Sequence, residues 1–213
     1  MSDKMIRNII IGLLIAAGIV AGVVWANWWF SFHDVSFELS DEVVGITIRE
    51  ADPEYKLMGR EVMRLTQNDT VRLQVGVYEI IPEGTRIDTS PIRFSVNDTT
   101  DIIKITPFFS ESYLSELLDQ ERAAIHQALL DYSSLILHYD IYGESLYLYG
   151  EWYGALLRLP DSPGDQGADI HRVILHKNNG SWKVSAEPSI ILSYSAHRDI
   201  PKTIINDLNR KVP

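Results

Sequence analysis

Residues 8–30 read NIIIGLLIAAGIVAGVVWANWWF, twenty-three positions without a charged side chain. As a helix rising about 1.5 Å per residue, such a stretch crosses roughly 30 Å of hydrocarbon. It therefore predicts a transmembrane anchor at 8–30, with a cytoplasmic tail of residues 1–7 before it and a large remainder after it. Lys4 and Arg7 precede the stretch, whereas the first charges beyond it are Asp34, Glu38, Asp41 and Glu42. The positive-inside rule then puts the N-terminus in the cytoplasm and everything from residue 31 outside, as in a single-pass protein of the cell membrane. Trp25, Trp28, Trp29 and Phe30 crowd the distal end, where amphipathic rings settle at headgroup level and set the depth of the helix. A cleaved signal peptide is the rival reading. Its apolar core would be about 7–15 residues long with small residues before the cut. Here the run is longer, and the best cut, near Ala26, is flanked by Trp25 and Trp28. Gly18 and Gly22, four apart, let two such helices approach closely, a route to a homo-oligomer through the span.

The chain carries a net charge of −10; its tail contributes +1, from Lys4 and Arg7 against Asp3, which leaves −11 for the rest. So acidic an outer part excludes nucleic acid as a partner and argues against adhesion to an anionic surface. The partners expected are the lipid bilayer itself and another envelope protein. Cysteine is absent, whereas a eukaryotic ectodomain of this size would usually be stapled by disulfides, so the composition favours a prokaryotic cell envelope.

Two regimes follow the anchor. Between 31 and 109 the apolar residues alternate in short runs: Val35, Phe37 and Leu39; Val44, Ile46 and Ile48; Val71, Leu73 and Val75; Val77 to Ile81; Ile92, Phe94 and Val96; Ile103 and Ile105. Period-two runs punctuated by Pro82-Glu83-Gly84 and Asn97-Asp98 predict an all-β, antiparallel sandwich of prealbumin or immunoglobulin type. In the stretch from Asp52 to Met63, Asp52-Pro53 is read as a turn and Glu61 to Leu65 as a strand, with Met58 and Met63 in the core. The succession Thr70-Val71-Arg72-Leu73-Gln74-Val75-Gly76-Val77-Tyr78-Glu79-Ile80, then Pro82-Glu83-Gly84, resembles the PEGA and carboxypeptidase-regulatory-like domains. The Pro-x-Gly-Ala signature of that group is missing, since Ser40-Asp41-Glu42-Val43 stands in its place. The resemblance implies a spacer or binding module and no catalytic residue.

From 110 to 213 the pattern turns helical and then returns to strands. Ser110 or Ser112 caps a helical region over about 111–137, with Leu114, Leu117, Leu118, Ile125, Leu129 and Tyr132 on one face. Strands are predicted at Ser145 to Leu159, Ile170 to Lys177 and Trp182 to Leu192. Asn178-Asn179-Gly180 forms a tight hairpin between the last two, and a short closing helix runs from Ile200 to Asn209. Lys177-Asn178-Asn179-Gly180-Ser181-Trp182-Lys183-Val184 and Gly150-Glu151-Trp152-Tyr153 are similar to turn-and-strand elements of the NTF2-like and cystatin-like α+β folds. That resemblance implies a helix packed on a curved antiparallel sheet.

The candidate sites are few. If 147–153 is one strand, Tyr147, Tyr149 and Tyr153 alternate to one side, a binding face, and Leu146, Leu148 and Trp152 to the other. Ordinary sheet packing is the alternative for these rings. A second constellation, His138, Asp140, Glu144 and Glu151, would line a pocket between helix and sheet and serve a tethered enzyme or small-ligand receptor. His171 and His176 are five apart on a strand and point to opposite faces. No nucleophile elbow, zinc-protease pair or Gly-rich phosphate loop occurs, so no cofactor and no catalytic residue are assigned. A metal is not expected either; the loop Pro160 to Asp169 carries three aspartates without a calcium-loop spacing. The expectation is a non-enzymatic binding or assembly module.

Overall fold

The computed structural model describes residues 3–51, 59–97, 99–160 and 170–212. The aspartate loop at 161–169 and the turn at 52–58 with Met58 lie outside them.

Helix α1 (Asp3–Phe30) is long and apolar enough to cross a membrane, and over Leu13–Phe30 the chain buries 0% of it. A helix apolar all round needs an apolar environment that this chain does not itself supply. The chain divides into two compact units, one of Met1–Gly84 and Thr89–Thr106, the other of Thr85–Asp88 and Pro107–Pro213.

Among the described residues the first unit holds α1 and seven strands: β1 (Phe32–Leu39), β2 (Gly45–Glu50), β3 (Glu61–Leu65), β4 (Asp69–Gln74), β5 (Gly76–Glu83), β6 (Ile92–Val96) and β7 (Ile102–Ile105). They form a three-stranded sheet, β4-β1-β7, and a four-stranded one, β3-β2-β5-β6. Val35 and Phe37 alternate into the core from β1, as do Val71 and Leu73 from β4 and Tyr78 and Ile80 from β5. The edge of the Phe37 ring meets the Phe94 face at 5.8 Å, one aromatic from each sheet.

Three expectations are corrected here. The strands are not all antiparallel: β7 pairs parallel with β1, from Ser36 opposite Ile102 to Leu39 opposite Ile105. Parallel pairing needs a crossover connection, and the chain supplies one by passing through the other sheet between them. Val43, not Val44, enters the core ahead of β2, because the strand begins only at Gly45. Val75 does not continue the inward face of β4. It is the single residue between β4 and β5, at the corner where the chain changes sheets, and it is 48% exposed. Thr47 is buried on central β2 and donates to Glu83 at 2.9 Å; Arg64 also binds that carboxylate and, as the main cause, holds it below the usual carboxylate range.

The second unit begins its regular structure with α2 (Glu111–Tyr132), capped by Ser110, whose Oγ accepts from the Tyr113 amide at 3.3 Å. A short 3-10 turn (Ser134–His138) leads into β8 (Asp140–Tyr147), and β9 (Trp152–Arg158), β10 (Ile170–Asn178), β11 (Ser181–Ser189) and α3 (Lys202–Arg210) follow. The four strands form an antiparallel meander, β11-β10-β9-β8. Asn179 and Gly180, at φ 50° and 80°, make the two-residue turn between β10 and β11.

Both faces of this sheet are covered. On one, Leu118, Ile125 and Leu129 of α2 pack with Leu157, Val173, Leu175 and Trp182. On the other, Ile204, Ile205 and Leu208 of α3 pack with Trp152, Ile174 and Ala186. Fully burying each such side chain contributes about 2 kcal/mol.

Candidate functional site

The continuous strand expected at 145–159 is two strands. The chain turns at Leu148 to Glu151, with Leu148 at φ 61° and Gly150 at φ 77°. A Cβ on Gly150 would also stand 2.4 Å from Leu117 Cδ2 of α2, so this turn needs glycine both for its backbone and for space. The three tyrosines therefore part. Tyr153 pairs across the hairpin with Leu146 and is 0% exposed within the α2-side core. Tyr147 pairs with Trp152, on the α3 side. Tyr149, on the turn, is 40% exposed and joins Phe108 and Phe109, ring centroids 5.3 and 6.0 Å away.

One concavity of this unit is a groove of about 550 Å³ along the edge strand β8, bounded by the first half of α2 and the C-terminal end of α3. Leu114, Leu118, Leu146 and Leu148 supply apolar lining, and Glu111, Glu144, Asp207 and Lys211 supply charge.

Glu144 is held in the groove by three side chains. Its Oε2 accepts from the Tyr153 hydroxyl at 2.8 Å and lies 2.9 Å from His126 Nε2, and its Oε1 accepts from Arg122 Nε at 3.3 Å. Arg122 also pairs with Asp119 one turn earlier on α2, at 2.8 Å. Burial, reinforced by the Glu144 charge, pushes the Tyr153 phenol far up, so it stays a neutral donor. A carboxylate so surrounded is a fixed anchor between α2 and the sheet, with its charge locally compensated.

A second cluster closes the far wall. Lys211 Nζ reaches Ser145 Oγ at 2.7 Å, Tyr147 OH at 3.0 Å and Gly143 O at 3.2 Å, and it pairs with Asp207 at 3.4 Å. Tyr147 donates to Asp207 at 2.7 Å; burial first and this carboxylate second raise its pKa strongly.

Of the four residues expected to line a pocket, Glu144 alone lines the groove. His138 ends the 3-10 turn and is exposed, so it does not share an extended face with Asp140. Asp140 opens β8 and accepts from Tyr142 OH at 3.3 Å, and Glu151 lies in the turn at the opposite end of the strand. His171 and His176 do part: His171 stands edge-on to Tyr139, whereas His176 stacks on Trp152 at 4.1 Å. Sequence reasoning missed Arg122, His126, Asp207 and Lys211. Arg122 and His126 carried a signal, since they are four apart on α2 and flank the stripe of Leu118, Ile125 and Leu129. Among the described residues no group of three or more His, Asp and Glu side chains is placed to hold a metal.

No family model and no curated protein matches the chain. A crystal structure of a DUF3823 family protein from Parabacteroides merdae ATCC 43184 is similar over 72% of this chain and 94% of that one, at 9% identity and a TM-score of 0.23. Likeness at that level assigns neither site nor activity.

Proposed function

We propose that this is a single-pass membrane protein of a prokaryotic cell envelope, with its N-terminus cytoplasmic and both units extracytoplasmic, and that it is a non-enzymatic binding or assembly module. The observation that carries this reading is α1, whose spanning side chains are left uncovered by the chain and which runs into β1 across one residue, Ser31. In the finer reading of the fold, the first unit is a sandwich of the prealbumin-like PEGA type, supported by the Phe37 and Phe94 contact between its sheets. The second unit is of cystatin-like or NTF2-like type, supported by one helix followed by a four-stranded meander. The binding face is the groove along β8 rather than a tyrosine ladder, and its occupant is another envelope protein. Gly18 and Gly22 offer close approach to a second copy; beyond the flanking residues and the helix's own backbone, no heavy atom lies within 4 Å of a Cβ built on either.

The test is crosslinking in intact membranes of the full-length protein and of Ser115→Trp, which fills the groove from an exposed position on α2. A partner captured by the parent and lost in the variant supports the reading, and a partner set unaffected by the variant counts against the groove. The second reading, a tethered small-ligand receptor or enzyme, is favoured by the triply bonded Glu144 in a groove of ligand size. Glu144→Gln would then abolish ligand-induced thermal stabilisation while leaving partner capture intact.

A further inference from the structure

The junction between α1 and β1 has no linker. Ser31 Oγ donates to Trp28 O at 2.7 Å, closing the helix, while Ser31 O accepts from the Val75 amide at 2.6 Å and Ser31 Oγ from Gln74 Nε2 at 3.1 Å. The end of β4 and the corner at Val75 are thereby pinned to the last turn of the helix. Aromatic residues at the junction form a collar of two separate ring pairs: Trp25 stacks on Trp29 at 5.8 Å, and Trp28 meets Phe32 of β1 edge to face at 5.1 Å.

Arg72 of β4 reaches into this collar. Its guanidinium carbon stands 4.5 Å from the centre of the Trp29 ring and 5.8 Å from that of Phe32, and Nη2 donates to Trp29 O at 3.5 Å. A tryptophan in the final turn of a span lies at headgroup level, so a cation resting on it lies there too. A guanidinium stacked on a ring keeps its N–H donors in its own plane, the geometry that binds a phosphate through two hydrogen bonds. Val75, exposed at the corner, is held through its amide by Ser31 O at the end of the helix. The chain beyond the tail carries −11, the −10 total less the tail's +1, and Asp34 stands opposite Arg72 in register. An anionic surface repels such a body as a whole, so contact with it is favoured only at a locally fixed cation such as Arg72.

We propose that Arg72 binds a lipid phosphate at the depth of Trp29 and thereby seats the first sheet on the outer surface of the bilayer. The proposal rests on the reading of α1 as a membrane span. Because the chain contains no cysteine, single-cysteine variants of the full-length protein carry one fluorophore each. Val75→Cys reports on the corner and Val20→Cys on the span, in vesicles containing phosphatidylglycerol and nitroxide-headgroup or nitroxide-acyl quencher lipids. We expect the probe at 75 to be quenched from the headgroups. Adding R72Q should lower that contact about fivefold, the factor for losing one arginine at an anionic surface, with circular dichroism unchanged. Galactolipid vesicles, which lack phosphate, should reproduce the loss, and inorganic phosphate in the buffer should not reverse it. Unchanged quenching in R72Q while the probe at 20 stays quenched from the acyl chains overturns the proposal and leaves the span intact. Equal quenching in galactolipid and phospholipid reduces Arg72 to a packing residue, and rescue by inorganic phosphate removes the lipid as its ligand. A probe at 20 exposed to water overturns the span and the proposal together.

Discussion

Among the described residues of the second unit Arg172 is the charged residue that is buried, 9% exposed, and its donors go to main-chain carbonyls: Nε to Leu208 at 2.8 Å, Nη2 to Lys211 at 3.3 Å, and Nη1 to Ile190. The last carbonyls of α3 have no partner within the helix and carry the negative end of its dipole, so the guanidinium both satisfies and neutralises them. Arg172→Met should destabilise the protein by about 3 kcal/mol, since buried acceptors are left unpaired, read as a fall in the urea midpoint of tryptophan emission. Glu121 makes stability depend on pH. It binds Lys177 Nζ at 2.7 Å and Trp182 Nε1 at 2.9 Å; the lysine first and the indole second hold its pKa below the ordinary value. A carboxyl lowered on folding adds stability that is fully present above its unfolded pKa and disappears as the pH falls through the folded one. Glu121→Gln should therefore be less stable than the parent at neutral pH, and the gap should close in acid, as unfolding curves across that window will show. Neither residue stood out in the sequence, because a partner 36 or 61 positions away leaves no local trace.

At the scale of elements, α3 lies directly on the backbone of β9. A Cβ on Gly154 would stand 2.6 Å from Leu208 Cδ1 and 3.0 Å from Cδ2, and Leu208 is fully buried. The glycine is needed for closeness, as its backbone angle is an ordinary one. Gly154→Ala should cost about 2 kcal/mol through overpacking, and Leu208→Ala in the same chain should recover part of that loss, a coupling that a double-mutant cycle measures. The helix itself was legible from the spacing of Ile204, Ile205 and Leu208. Its docking on a glycine was not. The hairpin at Asn179 and Gly180 was legible because that turn is specified by backbone angles only a few residues adopt. The turn at Gly150 was equally well specified, but the alternation of tyrosines across it mimicked one long strand.

For the whole molecule, the proposed anchor makes a definite expectation. The protein should remain with membranes through alkaline carbonate, and protease added from the outer side should digest the chain beyond residue 31 while sparing α1; release by carbonate would dispose of the anchor. The sequence by itself determined the apolar span, the helices and nearly every strand, because length, periodicity and turn chemistry act within a few residues. The tertiary structure alone decided that β4 and β5, one residue apart, enter different sheets, that β7 lies parallel to β1, and that Glu144 gathers Arg122, His126 and Tyr153. An alternating strand accepts many neighbours, and a polar residue at the margin of an apolar stripe accepts many partners. Only closing the cores, which buries one face of each element and leaves every buried polar group in need of a partner, selects among them.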